Sequence, residues 1–239
     1  MYIYGKNTVI EALKTQKEMD KIYLSTSNQE MRPQIVSYLK KQSTQIVMMP
    51  LAMMNQKFPG NHQGIVASVK EYQYVELSAL LTTVKQQEQV AFAILDGLED
   101  PHNLGAILRT ADATQMDGII IPKNRSVGLN ATVAKVSTGA IEHIPVVQAT
   151  NLVQTIETLK QNGFWIIGLE MDGSVDYKKQ DYHGKIAVVI GSEGKGISRL
   201  VKEHCDFFVH IPMYGHVTSL NASVSASIIF YEILRNRLT

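Results

Sequence analysis

The sequence has a single cysteine, a single tryptophan and no long apolar run. Cys205 alone excludes an intramolecular disulfide and a zinc site built only from cysteines, and it favours a reducing compartment. No apolar stretch approaches the roughly 20 residues that a membrane-spanning helix needs. Residues 1–7 lack the basic and apolar regions of a signal peptide. We therefore expect a cytoplasmic protein that does not enter a membrane.

A large charge of one sign is also missing, because the formal net charge is +1 over 239 residues. Backbone phosphates favour basic proteins, so this total argues against a nucleic-acid partner. The distribution argues the other way, since residues 1–75 carry a net +4 and residues 76–239 a net −3. A basic front part predicts nucleic acid or another acidic partner, and the alternative is an ordinary solvated surface.

Several motifs of common enzyme classes are absent. The sequence contains no G-x-G-x-x-G dinucleotide fingerprint and no Walker loop. It has no G-x-S-x-G serine-hydrolase motif. Its seven histidines show no H-x-x-x-H spacing, so we predict no metal site. A nicotinamide-dependent oxidoreductase would suit a parallel sheet but lacks its glycine fingerprint here.

Alternating short helices and strands organise the chain into two parts. Residues 1–70 predict a compact α/β domain, with a helix over 8–14 capped by Asn7 and another over 34–41. Residues 71–89 are polar and predict a linker with a short helix. Residues 90–239 begin with a continuous apolar run over 90–95, typical of a buried parallel strand. Strands then alternate with helices, which predicts a parallel sheet covered on both faces.

Three segments follow predicted strands, where parallel sheets bind their ligands. The first motif, residues 96–111, places Arg109 in an otherwise apolar helix, which favours an anion clamp or an interhelix salt bridge. The second motif, residues 190–196, has three glycines around Glu193, which allow close approach of a ligand or form a plain turn. The third motif, residues 211–225, is dense in small polar residues, which cap a helix or contact a ligand.

Together the three motifs resemble those of the SpoU (TrmH-type) RNA ribose methyltransferases of the SPOUT class. The match runs through Asn103-Leu-Gly and Arg109-Thr-Ala, Ile190-Gly-Ser-Glu-Gly-Lys-Gly, and Ile211-Pro-Met-Tyr-Gly with Ser219-Leu-Asn-Ala-Ser-Val. Order and spacing agree over residues 90–237. The front part, with Tyr4-Gly-Lys-Asn and Gln63-Gly-Ile-Val-Ala, is similar to the ribosomal-protein-like RNA-binding domain of the subgroup that modifies a guanosine in large-subunit (23S) ribosomal RNA.

This resemblance implies a parallel-sheet domain with a deep trefoil knot, S-adenosylmethionine as the cofactor, and a homodimer with the active site near its interface. A transfer RNA substrate and a catalytically silent RNA-binding protein of the same fold are the alternatives. The implied catalytic residues are Asn103, Arg109, Glu193, Ser219 and Asn221. The implied cofactor-binding residues are Gly191, Ile211, Leu220, Met213 and Leu169.

Methyl transfer to a ribose hydroxyl needs that hydroxyl to lose its proton, and the motifs contain no obvious base. Arg109 is a poor candidate, since a guanidinium stays protonated at neutral pH. Two other roles remain open for it: stabilising the developing alkoxide, or holding an RNA phosphate that accepts the proton. Asn103, Ser219 and Asn221 are expected to orient the ribose, and Glu193 to orient Arg109 or the hydroxyl. Further RNA contacts are expected from Tyr2, Tyr4, Lys6, Lys123, Asn124 and Arg125.

Overall fold

A computed structural model describes residues 1–39, 43–171 and 173–238 as two units. The first unit comprises Met1–Gln73 and Leu129–His143, and the second comprises Tyr74–Gly128 and Ile144–Thr239. Residues 74–89, within the predicted linker, therefore belong to the second unit. Among the described helices, none has the length and apolar character needed to cross a membrane.

The first unit is built on a four-stranded mixed sheet. Its strands are β1 (Tyr2–Tyr4), β2 (Met19–Ser25), β3 (Gln45–Met49) and β4 (Ile65–Val69), in the order β1-β4-β2-β3. Strand β2 is parallel to β3 and antiparallel to β4, which also pairs antiparallel with β1. The helices before residue 74 are α1 (Lys6–Lys14), α2 (Arg32–Leu39) and α3 (Leu51–Lys57).

Two local predictions for the first unit need comment. Asn7 is wrong as a helix cap, because the helix begins at Lys6, two residues earlier than predicted, and its cap position is Gly5, with a φ of 94°. Glycine reaches this left-handed region without the steric cost of a Cβ, so the backbone turns there and no side-chain cap forms. The predicted helix over 34–41 is observed to Leu39, and its last two residues lie outside the described part of the chain.

The second unit contains a seven-stranded sheet in which every observed pairing is parallel. Its strands are β5 (Val90–Asp96), β6 (Gly118–Pro122), β7 (Val146–Ala149), β8 (Trp165–Leu169), β9 (Val175–Asp176), β10 (Lys185–Gly191) and β11 (Phe207–His210), in the order β7-β6-β5-β10-β8-β11-β9. Its helices are α4 (Leu77–Thr83), α5 (Pro101–Ala113), α7 (Leu152–Gln161), α8 (Arg199–Lys202) and α9 (Ala222–Leu238). The predicted parallel-sheet α/β fold is confirmed.

Strand β7 has no counterpart among the predicted elements. It is only four residues long, and its sequence Val-Val-Gln-Ala lacks the long apolar run that marks β5. The strand forms because its backbone pairs in register with β6, from Ile119 opposite Val146 to Pro122 opposite Ala149. Pairing with a partner distant in sequence decides such short strands, whereas periodicity reports only local preference.

Helix α6 (Ala131–Val136) and the residues after it complete the first unit through ionic contacts with α1 and its surroundings. The His143 ring nitrogen lies 2.9 Å from the Glu11 carboxylate, and Lys17 Nζ lies 3.4 Å from Glu142. Burial alone would raise the pKa of Glu11, but hydrogen bonds from His143 and Lys14 outweigh it and lower that pKa. A hydrogen bond and an ion pair therefore join chain segments separated by more than 120 residues in this unit.

The carboxyl ends of β5, β10 and β11 bring the three motifs to one edge of the sheet. Strand β10 lies between β5 and β8, and β11 lies beyond β8. Loops that leave parallel strands at their carboxyl ends meet at one edge, where open α/β sheets bind ligands. The motifs, which are about 90 and 30 residues apart in sequence, thus share one neighbourhood.

Candidate active site

Glu193 joins the three motifs through one carboxylate oxygen. Its Oε1 accepts hydrogen bonds from Asn103 Nδ2 at 2.9 Å and Asn221 Nδ2 at 2.5 Å. The backbone N–H of Ala222 also donates to it, at 3.3 Å. Asn221 Nδ2 lies 2.9 Å from Asn103 Oδ1, which closes the triangle between the three polar side chains. Hydrogen bonds to an ionised acceptor are the strong ones, so this contact orders three segments at once.

Asn221 caps a helix, which is one of the two roles that the sequence left open for the third motif, and it also binds Glu193. Its Oδ1 accepts hydrogen bonds from the backbone N–H groups of Ser223 at 2.9 Å and Val224 at 3.3 Å, and from Ser223 Oγ at 2.6 Å. It therefore caps α9 at its amino end. Its amide group meanwhile donates to Glu193. The same residue begins the closing helix and holds the second motif, so capping and site formation coincide.

The second motif forms a tight loop between two backbone hydrogen bonds. Ser192 N–H donates to Gly196 O at 3.2 Å, and Gly196 N–H donates to Ser192 O at 3.0 Å. Gly194 and Gly196 have φ values of 82° and 65°, a region that glycine adopts readily. Gly191 is so close to the other side of the loop that a Cβ on it would lie 2.1 Å from the Gly196 carbonyl carbon. The glycines are therefore required by this turn.

A first cleft of about 430 Å³ opens beside this loop. All five residues expected to bind the cofactor line it, together with Glu193 and Ser219: these five are Leu169, Gly191, Ile211, Met213 and Leu220. Ile211 is buried and the other apolar side chains are half-buried, which gives the cleft an apolar wall beside exposed loop backbone. Its size is within the range of small-molecule sites.

A second cleft of about 600 Å³ adjoins the first and shares Ser192, Glu193 and Gly196 with it. Two residues of the expected catalytic set, Asn103 and Glu193, line it, and so do Asn124 and Arg125 of the expected RNA contacts. Asn103 is buried, with 6% of its surface exposed, so the hydrogen bond to Glu193 fixes its orientation. The two clefts meet at Glu193, which suits a site where two substrates react.

Arg109 is not brought to either cleft of its own chain. It lies six residues after Asn103 on α5, which places it on a different face of that helix. Its side chain is exposed and makes no hydrogen bond or ion pair with the described residues. The interhelix salt bridge considered from sequence is therefore absent from this part of the chain. The neighbouring Thr110 Oγ1 instead contacts Ser227 Oγ of α9 at 3.0 Å.

Sequence reasoning missed several residues that line the clefts. Glu170, Met171, Thr218 and Ser225 line the first cleft, and Gly97, Glu99 and Lys195 are among those at the second. Most of them lie in the loops after strands β8, β5 and β10. The rule that ligands bind at the carboxyl ends of parallel strands is the signal that would have found them. Across residues 1–39, 43–171 and 173–238, no three His, Cys, Asp or Glu side chains lie together as a metal site requires.

Comparison with known proteins identifies the family. The profile of the SpoU rRNA Methylase family matches residues 91–231. The chain belongs to this family. A second profile, described as RNA 2'-O ribose methyltransferase substrate binding, matches residues 2–75 of the SpoU methylase. The predicted enzyme class, an RNA methyltransferase, is confirmed.

Similar proteins match this SpoU methylase over nearly its whole length. Bacillus subtilis YacO, named as a TrmH-family tRNA/rRNA methyltransferase, is 49% identical over 99% of this chain and 96% of its own. An AdoMet-bound rRNA methyltransferase from Sinorhizobium meliloti has a TM-score of 0.84 at 23% identity, covering 100% of this chain and 88% of that one. AviRb from Streptomyces viridochromogenes, solved with AdoMet, has a TM-score of 0.81 at 21% identity, covering 100% and 91%. Those two solved structures support the fold.

Glu193 is expected to position the site, so its removal should slow methyl transfer. Glu193→Ala removes the shared acceptor, so Asn103 and Asn221 lose their common partner and shift. Misplacement of about 1 Å costs on the order of 10²-fold in rate, so we expect a single-turnover rate lower by about that factor. Glu193→Gln keeps an acceptor oxygen and should lose much less.

The matched control for Glu193 is Glu203→Ala, since Glu203 is a carboxylate near α8 that pairs with Arg199 on the surface. The control should transfer methyl groups at the wild-type rate. An unchanged single-turnover rate in Glu193→Ala would show that Glu193 is a structural residue of the turn and does not position the site.

Proposed function

We propose that this SpoU methylase transfers a methyl group from S-adenosylmethionine to the ribose 2'-hydroxyl of a guanosine in large-subunit (23S) ribosomal RNA, the specificity of the RlmB type. The observation that carries the proposal is the contact of Glu193 with Asn103, Asn221 and Ala222, which joins three motifs where two clefts meet. One cleft has the size and lining for the cofactor, and the other has room for a nucleotide. Such a substrate would place the enzyme in the cytoplasm.

S-adenosylmethionine fits the residues that line the first cleft. The backbone of the second motif approaches the cleft without side chains at Gly191, Gly194 and Gly196, leaving peptide groups available to a polar ligand. Leu169, Ile211, Met213 and Leu220 supply apolar contacts suited to an adenine ring. A Cβ at Gly191 would fill the space that the loop backbone occupies, so the cradle depends on glycine. When bound, the cofactor supplies a methyl group activated by a positive sulfur.

The chain's own residues would position the ribose and stabilise charge. Asn103 and Asn221, held by Glu193, orient the ribose through hydrogen bonds, with Ser219 at the first cleft as a further partner. The hydroxyl must lose its proton as its oxygen attacks the methyl carbon. Arg109 would stabilise the developing negative charge, or hold the RNA phosphate that accepts the proton.

A homodimer would explain why Arg109 is remote from the clefts of its own chain. Helix α9 exposes Val224, Tyr231 and Leu238 at seven-residue intervals, which places them on one face of the helix. An apolar stripe of this kind suits a twofold interface between two copies. Arg109 is on the adjoining helix α5, so we propose that it acts in the cleft of the partner subunit.

The first unit is proposed to capture RNA, and the match of residues 2–75 to a substrate-binding profile supports this. The excess of basic residues within 1–75 favours binding to a phosphate backbone. Tyr2 is 39% exposed and lies edge-on to Phe58 at 5.2 Å between ring centroids, so part of its ring is free to stack on a base. Tyr4 packs against the core cluster of Tyr23 and Phe58, which favours a structural role for it.

The sheet order supports the proposed trefoil knot. Strand β10 is inserted between β5 and β8, and the chain continues to β11 on the far side of β8 before α9 returns to pack on α5 and β10. Helix α9 begins beside the second motif, where the N–H of Ala222 donates to Glu193. Topology of this kind is rare, and local periodicity carries no information about it.

The proposed function is tested with methyl-labelled S-adenosylmethionine and unmodified ribosomal and transfer RNA, followed by mapping of the labelled nucleotide. We expect label on one guanosine of 23S RNA, at the ribose. Label on transfer RNA would show that the substrate is transfer RNA, and the proposed methyl-transfer reaction would stand. Binding of RNA without label on any of these RNAs would indicate a silent RNA-binding protein.

A further inference from the structure

An arginine and a glutamate line the second cleft and form no ion pair with each other. Arg125 and Glu99 both line the cleft and both are exposed. Their loops are tied together, because Leu98 O accepts hydrogen bonds from Val127 N–H at 2.8 Å and Ser126 Oγ at 3.1 Å. Glu99 comes directly after Leu98 in the sequence, and Arg125 comes directly before Ser126. Within the described residues, neither side chain has a hydrogen bond or an ion pair.

The other carboxylates of the cleft already have protein partners. Asp96 accepts from Ser198 N–H at 2.7 Å, Asp100 caps α5 through His102 N–H at 2.8 Å, and Glu193 joins the three motifs. Among the described residues, Glu99 is therefore the carboxylate of this lining whose two oxygens both lack a protein partner. With Lys195 as the only other cation of the lining, the cleft carries more acidic than basic groups, which favours a neutral base over a phosphate there.

Arg125 also adopts a costly backbone conformation. Its φ is 55°, in the left-handed region that side chains other than glycine, asparagine and aspartate rarely occupy. Strain of this kind persists where surrounding contacts impose it, and it clusters at functional sites. The two residues after Arg125 are held by Leu98 O, and Arg125 itself lines the cleft.

We propose that the second cleft receives the acceptor base, and that Glu99 and Arg125 select guanine by binding its two edges; this rests on the proposed function. Guanine offers two adjacent donors, N1–H and N2–H, which match a carboxylate. It also offers two adjacent acceptors, O6 and N7, which match a guanidinium. Adenine and cytosine place an acceptor nitrogen beside the amino group, and uracil flanks its N–H with carbonyls. Only guanine satisfies both charged groups at once.

The test uses a 23S RNA fragment carrying guanosine, inosine or 7-deazaguanosine at the mapped nucleotide. Inosine lacks the N2 amino group and 7-deazaguanosine lacks N7, so each analogue removes one contact. A bidentate contact discriminates by about 10- to 100-fold, and the wild type should prefer guanosine over each analogue by about this factor in kcat/KM. Glu99→Gln replaces one of the two acceptor oxygens with an amino group that opposes a guanine N–H, so it should lose the preference over inosine only. Arg125→Ala should lose the preference over 7-deazaguanosine only.

The matched controls are Arg199→Ala and Glu203→Gln, a surface pair outside both clefts, which should keep both preferences. Affinity for S-adenosylmethionine should be unchanged in every variant. Wild-type discrimination retained by Glu99→Gln and Arg125→Ala would overturn the assignment of these residues. Equal kcat/KM values of the wild type on the guanosine, inosine and 7-deazaguanosine RNAs would also overturn the assignment, and this result does not depend on whether a variant folds. Absence of any methyl transfer by the wild type would instead contradict the proposed function.

Discussion

Arg109→Ala should reduce methyl transfer to RNA by about 10³-fold while leaving the affinity for S-adenosylmethionine at the wild-type value. The guanidinium is exposed, lines neither cleft and has no partner among the residues described, so the fold does not depend on it. Its charge is therefore available to the reaction. Arg109→Lys keeps the charge but loses the planar fork, so its rate should be intermediate. Single-turnover rates and calorimetric titration with the cofactor measure the two effects separately.

A mixed dimer tests whether Arg109 acts across the interface. One subunit would carry Arg109→Ala and the other Gly191→Ala, with different tags for purification. If Arg109 serves the partner's cleft, the first subunit binds cofactor and receives the arginine of the second, so one working site returns. If Arg109 serves its own cleft, neither subunit is complete and the mixed dimer stays inactive. Full activity of Arg109→Ala alone would remove the residue from the mechanism.

Gly191→Ala should weaken S-adenosylmethionine binding by about 10²-fold or more, because the new Cβ collides with backbone. It would lie 2.1 Å from the Gly196 carbonyl carbon and 2.4 Å from the Ile197 nitrogen, and neither atom can rotate away. The two hydrogen bonds between Ser192 and Gly196 must open, which moves the wall of the first cleft. Overpacking typically lowers the free energy of unfolding by about 1–3 kcal/mol, so the thermal midpoint should fall as well.

The matched control for Gly191 is Gly215→Ala in the third motif, where a Cβ meets nothing within 4 Å. Its affinity for the cofactor and its thermal midpoint should match the wild type. A wild-type dissociation constant in Gly191→Ala, measured by calorimetry, would show that the loop relaxes and that the first cleft does not hold the cofactor.

The sequence by itself determined the elements with strong local signals. The apolar run over 90–95 is observed in β5 and the helix predicted over 8–14 in α1, because neighbouring residues alone establish these patterns. The three motifs and their order sufficed to identify the family, since short segments of backbone and side chain carry that information. The five expected cofactor residues all line one cleft because four belong to the second and third motifs and Leu169 is the last residue of β8, so all lie at or after the ends of strands.

Only the tertiary structure decided which of these residues meet. Asn103, Glu193 and Asn221 share hydrogen bonds because β10 is inserted between β5 and β8, an arrangement that no local pattern encodes. Arg109, from the same motif as Asn103, lies on another face of α5 because six residues turn the helix through about one and two-thirds turns. Long-range pairing and helix phase set the site, and both depend on how distant segments pack.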